Sequence, residues 1–195
     1  MKLIVADFSS KFSDDAVIVN TTSRAHGWSR GLSPFLLGPV KLYGEYEAQN
    51  VENAWQYSKV YTEYADENNE PGNAYFEWAK KGWAKKFADR YPMGRGNKPL
   101  YSLWDGRKLG YIEARRQIYI PLYSNAVRNT EAFEKLTQTF DSVCSRTNGA
   151  DCLVLQDFDA HGINVHGYDV DKLIDNEKIK VGHGYVLAMM LLGLL

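Results

Sequence analysis

Short apolar runs in the first part of the chain are separated by polar segments rich in turn residues. Leu3–Ala6 and Ala16–Asn20 are short and β-branched, and Pro39–Tyr43 lies between Gly38 and Gly44. Apolar runs of this length, bounded by turn residues, are typical of strands. The pattern therefore predicts three strands, with a loop between the second and the third.

From Asn50 onwards the spacing of the apolar residues changes to that of a helix. The apolar positions between Val51 and Tyr61 form one stripe and Asn50 is a suitable N-cap, which predicts a helix to about Tyr64. Pro121 removes a backbone donor and is expected to end a later helix. The other predicted elements are helices at Ala74–Arg90, Leu109–Tyr119 and Glu131–Val143, a strand at Cys152–Gln156, and a last helix from about Gly184.

No repeat, low-complexity tract or long linker divides the 195 residues. A chain of this length with 45% hydrophobic residues is long enough to bury one core. We therefore expect a single compact domain over residues 1–195. Its predicted fold class is α+β, mostly α-helical with a few short strands.

Charge and cysteine content narrow the class of protein. Lys and Arg total 23 against 24 Asp and Glu, so the net charge of −1 gives no global field for a polyanion, and any nucleic-acid contact has to be local. Cys144 and Cys152 lie in no CxxC motif or Cys/His cluster, which disfavours disulfides and structural zinc. The N-terminus lacks a signal-peptide pattern and the C-terminal apolar run is too short to span a bilayer. We expect a cytoplasmic protein without a membrane partner, and the oligomeric state stays open.

Four chemically distinct side chains recur at intervals of three and four residues in the helix predicted from Asn50. They are Glu52, Trp55, Gln56 and Lys59, and this spacing puts them on one helical face. One interpretation is an ordinary solvated face with surface ion pairs. The other is a cleft wall, which the tryptophan favours because its ring can stack on a flat base while its N–H stays hydrogen-bonded.

A second group of polar residues lies in the glycine-bearing loop after the strand at Cys152–Gln156. Asp157, Asp159, His161 and His166 can converge there on a ligand, or they can form an ordinary Asp-rich turn. Their spacing matches neither an EF-hand nor a zinc signature. We therefore expect no metal site and no cofactor.

A third group mixes basic and aromatic residues between Arg90 and Arg116, a combination that can hold phosphates and stack bases. The sequence GRGNKP within it is no Walker loop, because the GK[ST] ending is missing. No GxSxG motif supports acyl transfer. Its basic members are Arg95, Lys98, Arg107, Lys108, Arg115 and Arg116, and its aromatic members are Tyr91, Tyr101 and Trp104.

The segment GLSPFLLGPVKLYGEYEAQNVENAWQYSKVY resembles the NADAR family, which includes riboflavin-pathway N-glycosidases. Leu32–Phe35 corresponds to the family's F-S-N-F element, and the helix from Val51 to Lys59 corresponds to its S-E-H-x-x-Q-x-x-K pattern. Further along the chain, NKPLYSLWDGRKLGYIEA, FDAHG and VGHGYVLAMM are similar to the family's later motifs. The chain departs from the family at Asn53, where the family has histidine, at Pro34, where it has asparagine, and by lacking the loop tryptophan. These departures bear on substrate choice more than on fold.

The resemblance implies hydrolysis of a bond between ribose C1 and a nitrogen, most simply removal of ADP-ribose from guanine in DNA or in a nucleotide. Glu52 would then stabilise positive charge at C1, and Asp159 would orient water or exchange a proton. In a second mechanism, for an exocyclic scissile nitrogen, the glycosylamine would open to an imine that Lys59 captures as a Schiff base. The expected partner is an ADP-ribose-containing nucleotide or ADP-ribosylated DNA. The candidate substrate-binding residues are Trp28, Trp55 and Trp104 for base stacking, Arg24, Arg30, Arg95 and Lys108 for pyrophosphate, and Phe35, Gln56 and His161 as further contacts.

Three other functions remain open from sequence. One is a binding module that sequesters an NAD-derived nucleotide without turnover, and the second is a glycosidase of a riboflavin-pathway intermediate. The third is a surface-interaction protein. Steep salt dependence of binding is expected only if several DNA phosphates are held.

Overall fold

The computed structural model describes residues 1–145, 152–158 and 160–195. About 38% of it is helix and 16% strand, which confirms the predicted α+β class. The chain falls into two compact units. The terminal unit consists of Met1–Ser33 and Tyr123–Leu195, and the central unit consists of Pro34–Leu122. The single domain expected over residues 1–195 stays a prediction.

The strands are β1 (Lys2–Ala6), β2 (Val17–Asn20), β3 (Val40–Lys41), β4 (Glu47–Ala48), β5 (Lys59–Val60), β6 (Tyr101–Trp104), β7 (Arg107–Leu109), β8 (Cys152–Gln156) and β9 (Ile163–Asn164). The helices are α1 (Val51–Gln56), α2 (Asn73–Trp83), α3 (Tyr111–Ala114), α4 (Ile120–Val127), α5 (Glu131–Cys144), α6 (Val170–Asp175) and α7 (His183–Leu191). Two 3-10 helices, Gly27–Leu32 and Thr62–Tyr64, and a π-helix, Arg115–Tyr119, complete the described elements. None of the described helices is long and apolar enough to cross a bilayer.

The terminal unit is built on a four-stranded sheet in the order β2-β8-β1-β9. β8 pairs in parallel with both β1 and β2, while β9 runs antiparallel to β1. The continuous apolar run Leu153–Leu155 is fully buried, as expected for a central parallel strand, and α5 and α7 pack against β8. Because β1, β2 and β8 are parallel, their carboxyl ends meet at one edge of the sheet.

The central unit contains two small antiparallel sheets, β3-β4 and β5-β6-β7. β6 and β7 form a hairpin whose turn residues, Asp105 and Gly106, both have positive φ angles, 48° and 73°. Two consecutive residues of positive φ are what a two-residue hairpin turn requires, and Asp-Gly is a preferred pair for it. The dipeptide between YSLW and RKL is therefore a local sequence signal for this hairpin, whose two strands were not predicted.

The predicted helix from Asn50 to Tyr64 is wrong in its second half, although its N-cap is confirmed. The Asn50 side chain accepts a hydrogen bond from Asn53 N at 2.8 Å. The helix ends at Gln56 because other partners bind the carbonyls that a longer helix would use. Ser58 Oγ donates to Trp55 O at 2.8 Å, and Leu103 N donates to Ser58 O at 2.7 Å. The chain then enters β5, which pairs with β6.

The prediction that Pro121 ends a helix is also wrong. The helix that begins at Tyr111 widens into the π-helix Arg115–Tyr119, where Ile120 N donates to Arg115 O, and then continues as α4 to Val127. The change of register lies immediately before the proline, which has no N–H to donate. The lost hydrogen bond therefore coincides with a turn that is already irregular, as is common for kinks and π-bulges.

Two further boundaries differ from the prediction. α2 ends at Trp83, not near Arg90. The segment after β2, expected to be a loop, contains the 3-10 helix Gly27–Leu32, against which α5 packs. The helix predicted at Glu131–Val143 and the strand at Cys152–Gln156 are confirmed.

Gly82 in α2 lies directly against the ring of Tyr57, and this contact leads to a stability prediction. A Cβ at this position would lie 2.0 Å from the ring, and the ring is fixed because Tyr57 OH donates to Asp89 Oδ2 at 2.8 Å. We expect Gly82→Ala to lower the free energy of unfolding by about 1–3 kcal/mol, the usual cost of overpacking. Thermal or urea unfolding measures the change.

Alanine is normally favoured over glycine inside a helix by about 1 kcal/mol, so a simple propensity argument predicts the opposite sign. The exposed neighbour Lys81 provides the control, and Lys81→Ala is expected to leave the unfolding midpoint unchanged. A midpoint for Gly82→Ala at or above that of the unsubstituted protein contradicts the packing argument.

Candidate functional site

A chain of hydrogen bonds links Glu52, Gln56 and Lys59 in the central unit. Gln56 Nε2 donates to Glu52 Oε1 at 2.8 Å, and Lys59 Nζ donates to Gln56 Oε1 at 2.7 Å. Glu52 is only 6% exposed and Gln56 only 8%. The interpretation of these residues as an ordinary solvated face is therefore wrong, because its central members are buried and bonded to each other.

Trp55 lies beside this chain. Lys59 Nζ is 4.7 Å from the centroid of the indole ring, a cation–π distance, and the Tyr119 ring lies 5.4 Å away, tilted by 56°. Trp55 and Trp104 both pack against the cluster formed by Leu109, Ala114 and Ile118. In this structure the indole face predicted for a base therefore carries the ammonium group of Lys59.

Burial lowers the pKa of Lys59 from its usual value of 10.5 to about 8, and the negative charge of Glu52 opposes this shift. Desolvation disfavours the charged form of an amine, whereas a nearby carboxylate favours it. Desolvation is the larger effect here. A substantial fraction of the amine is therefore neutral near pH 8, and a neutral amine is the nucleophilic form.

The four residues converge although the backbone is not the one predicted. Lys59 belongs to β5, not to a continuous helix. After the helix ends at Gln56, the chain turns through Tyr57 and Ser58 and returns the Lys59 side chain to Gln56. The spacing identified side chains that lie together, while the helix that it implied was too long.

The segment that contains Phe35 covers the N-terminus of α1. Glu52 N donates to Pro34 O at 3.1 Å, and Val51 N donates to Leu37 O at 2.9 Å. Two of the amides that a helix leaves unpaired at its start are thus satisfied by this segment. Phe35 is partly buried, one residue after the carbonyl that fixes the backbone of Glu52.

Asn53, which stands where the NADAR pattern has histidine, is fully buried and makes structural hydrogen bonds. Its Nδ2 donates to Lys85 O at 2.9 Å and to Phe87 O at 3.1 Å, and its Oδ1 accepts from Asp89 N at 2.8 Å. The side chain thus ties the segment after α2 to α1. Its three polar contacts are all to backbone atoms.

This bonding predicts that Asn53→Asp destabilises the protein, because a carboxylate cannot donate to the two carbonyls. Leaving a buried polar group unpaired costs about 1–3 kcal/mol, so for two carbonyls we expect a loss of about 2–6 kcal/mol in the free energy of unfolding. Denaturant unfolding measures it, with the exposed Asn68→Asp as the control. Equal midpoints for the two variants would contradict the assignment.

Three other predicted residues of the central unit are placed outside the Glu52–Gln56–Lys59 chain. Lys108 is exposed and forms an ion pair with Glu70 at 2.6 Å, which raises the pKa of the lysine. Arg95 is exposed and lies over the Tyr91 ring at 5.4 Å. Trp104 makes an edge contact with Tyr43 at 5.0 Å. Their roles in substrate binding stay predictions.

The predicted residues of the terminal unit do not form one cluster. Trp28 lines a cavity of about 310 Å³ together with residues of α5, such as Lys135. His161 has an exposed side chain, and its backbone N donates to Tyr185 OH at 3.0 Å. Arg24 and Arg30 are exposed. Asp159 lies outside the described residues, so its role stays a prediction.

Asp157 and His183 form a buried polar network in the terminal unit. His183 Nδ1 lies 3.1 Å from Asp157 Oδ2, and His183 Nε2 donates to Thr21 O at 2.9 Å. Asp157 Oδ2 also accepts from Gly184 N at 3.1 Å, at the start of α7. The order Thr21, His183, Asp157 is that of a hydrolytic triad, but Thr21 is 0% exposed and its hydroxyl donates to Gln156 O. This network fixes α7 against the strand ends and presents no nucleophile.

Across the described part of the chain, no three His, Cys, Asp or Glu side chains are grouped so that they could hold a metal ion.

Sequence reasoning missed a set of residues at the carboxyl ends of β1, β2 and β8. A cavity of about 460 Å³ is lined there by Asp7, Phe8, Ser9, Asn20, Arg24 and Phe158. Of these residues only Arg24 was a candidate. Ligands of parallel sheets bind where the strands end. If the parallel pairing of the first two strands with Cys152–Gln156 had been known, a ligand site would have been predicted at this edge of the sheet.

The sequence model of a family of unknown function (DUF6939) matches residues 2–169, which is most of the chain. The chain belongs to this family. The matched range includes the whole central unit, and with it the hydrogen-bonded residues Glu52, Gln56 and Lys59. No curated protein matches the chain.

Proposed function

We propose that the chain is an N-glycosidase that cleaves a bond between ribose C1 and a nitrogen, acting as an ADP-ribosyl glycohydrolase on guanine-linked ADP-ribose in DNA or in a nucleotide. The observation that supports this most is the buried chain of hydrogen bonds from Glu52 through Gln56 to Lys59. The resemblance of the α1 segment to the NADAR pattern suggests the same chemistry.

In this proposal Glu52 stabilises the positive charge that develops at C1 as the bond breaks. A carboxylate held at a fixed position is most effective in a site shielded from water. The hydrogen bond from Gln56 Nε2 holds one carboxylate oxygen in place, and burial keeps bulk water away. Gln56 is therefore a positioning residue between the carboxylate and the amine.

Lys59 supplies a nucleophilic route when the scissile nitrogen is exocyclic. The glycosylamine opens to an imine between C1 and the guanine nitrogen, and the neutral amine of Lys59 attacks C1. The guanine amine leaves with a proton, so that C1 is joined to Nζ by a new imine. Water then adds to C1 and releases the sugar as an aldehyde, which regenerates the amine. The lowered pKa of Lys59 supports this role, since the attacking form is present near neutral pH.

Trp55 positions Lys59 by the contact of its ring with the ammonium group. Stacking of the base on Trp55 stays a prediction, and it requires Lys59 to leave that face of the ring. Asp159 remains the candidate for orienting water. Trp104, Lys108 and Arg95 remain candidates for binding the base and the phosphates.

A panel of substrates tests the proposal. Guanine-ADP-ribosylated DNA, the corresponding modified nucleotide, NAD and a riboflavin-pathway N-glycoside are incubated with the protein, and released products are separated by chromatography. We expect release of ADP-ribose from a guanine adduct. Binding of all four compounds without release from any of them contradicts the proposal and indicates a sequestering module.

The salt dependence of cleavage separates DNA from a nucleotide as the substrate. A protein that holds several DNA phosphates loses affinity steeply with added salt. The net charge of −1 gives the protein no global field that would attract a polyanion, which favours a shallow dependence and indicates the nucleotide. The KM for the DNA substrate between low and moderate salt is the measurement. A fall in affinity by several orders of magnitude would contradict this preference.

A further inference from the structure

The cavity at the carboxyl ends of β1, β2 and β8 has the position of a ligand site. Asp7 follows β1, Asn20 ends β2, and Phe158 lies two residues after β8. In sheets of parallel strands, ligands bind in the crevice outside these ends, because the loops there diverge and leave backbone and side-chain groups free. The volume of about 460 Å³ is within the usual range for a small-molecule pocket.

Two exposed aromatic rings form one wall of this cavity. The centroids of Phe8 and Phe158 are 5.3 Å apart with an angle of 49° between the rings, and the residues are 43% and 39% exposed. Two adjacent phenylalanines this exposed leave a sizeable apolar surface in contact with water. A flat aromatic ligand would cover this surface and gain both burial and ring contacts.

A cation lies beside the aromatic wall. Arg24 Cζ is 5.3 Å from the centroid of Phe158, and the arginine is exposed. Its planar guanidinium carries five donors in the geometry that matches phosphate. Contact with the ring holds the group at the edge of the aromatic wall, so a ligand that combines a flat ring with an anion fits both.

Hydrogen-bonding groups of fixed orientation complete the cavity. Asp7 Oδ1 accepts from Ser9 N and Ser10 N at 3.1 Å and from the hydroxyls of both serines at 2.8 and 2.9 Å. These bonds lower the pKa of Asp7, mainly through the serine hydroxyls, so the group remains a carboxylate acceptor. Asn20 Oδ1 accepts from Thr22, which leaves its Nδ2 as a donor. A sugar hydroxyl pair suits such an acceptor and donor.

We propose that this cavity binds a nucleoside monophosphate, with the base against Phe8 and Phe158, the phosphate at Arg24, and the ribose hydroxyls at Asp7. This assignment gives Arg24, a candidate for pyrophosphate binding from the sequence, a specific place. It uses neither Glu52 nor Lys59, so it does not depend on the proposed glycosidase chemistry.

Isothermal titration calorimetry with AMP, adenosine and inorganic phosphate tests the site on the full chain. We expect AMP to bind at least about tenfold more tightly than either fragment, since it alone engages both the rings and the cation. Arg24→Gln should lower the affinity for AMP about tenfold and leave the affinity for adenosine unchanged. Phe158→Leu should lower the affinity for AMP and the affinity for adenosine by the same factor.

The exposed Arg128, in the same unit, provides the matched control, and Arg128→Gln should bind AMP as the unsubstituted protein does. Unfolding midpoints establish that each variant is folded. Absence of AMP binding at millimolar concentration overturns the proposal, and so does an AMP affinity of Arg24→Gln and Phe158→Leu that equals the affinity of the unsubstituted protein. Glu52→Gln should bind AMP normally, so failure of this site and failure of the glycosidase proposal give different results.

Discussion

Glu52→Gln is expected to lower the rate of N-glycoside cleavage by about 10²–10³-fold, the usual effect of removing one preorganised electrostatic contact from a transition state. Glutamine has nearly the same shape, and its carbonyl still accepts the hydrogen bond that Gln56 Nε2 now donates to Glu52 at 2.8 Å. The variant should therefore fold normally, bind substrate with little change in KM, and lose kcat. Such a loss of kcat in a folded variant is caused by the removal of the charge and not by a change in packing.

Glu47 in β4 supplies the matched control because it is exposed in the same unit. Glu47→Gln removes the same charge and should leave kcat within about twofold, as expected for a surface substitution away from the site. If Glu52→Gln and Glu47→Gln cleave the substrate at the same rate, Glu52 has no role in the chemistry.

Covalent trapping at Lys59 is the second prediction with a large expected effect. Cyanoborohydride added during turnover should reduce the imine and leave the sugar on the peptide that contains Lys59, as detected by mass spectrometry. Lys59→Arg should abolish the adduct completely while keeping a cation over Trp55 and a donor to Gln56. Lys41 in β3 is exposed in the same unit and has no assigned role, so Lys41→Arg should form the adduct as the unsubstituted protein does.

The rate of trapping should follow the protonation of Lys59. Only the neutral amine attacks, and its pKa is lowered to about 8 by burial. The neutral fraction therefore rises about tenfold per pH unit below 8 and levels off above it. For a lysine with an unperturbed pKa, the neutral fraction would continue to rise up to about pH 10.5. A trapping rate that is independent of pH between 6 and 8, or unchanged in Lys59→Arg, contradicts the nucleophilic role.

Local sequence patterns predicted the strongly periodic and the fully buried elements. Cys152–Gln156 has an unbroken apolar run because both faces of the central strand are covered, and its bounds were predicted correctly. Glu131–Cys144 has a polar cap at Thr130 and a clear helical stripe, and it was also predicted. In both cases the local signal and the final packing agree.

The failures occurred where distant contacts decide the structure. α1 stops at Gln56 because Ser58 O is bound by Leu103 N, more than forty residues later in the chain. The apolar stripe continues past this point, so periodicity alone extends the helix. The π-helix before Pro121 is a similar case, since proline rules describe a regular helix and not an irregular one.

For the candidate sites, too, contacts between residues close in sequence were predictable and contacts between distant residues were not. Glu52, Gln56 and Lys59 were predicted because they are close in sequence, and their convergence tolerates a change from helix to strand at Lys59. The cavity at Asp7 and Phe158 was missed because it depends on the parallel pairing of β1 with β8, whose residues are about 150 positions apart. Such pairings are not encoded in local patterns.

We propose that Glu52, Gln56 and Lys59 together break a ribose C1–N bond and do not merely hold a nucleotide. A single-turnover assay, with the protein in excess over ADP-ribosylated guanosine, tests it most directly. We predict the release of ADP-ribose and guanosine in equal amounts by the unsubstituted protein, and release about 10²–10³-fold slower by Glu52→Gln. Recovery of the bound substrate intact, or equal rates for the two proteins, would contradict the claim.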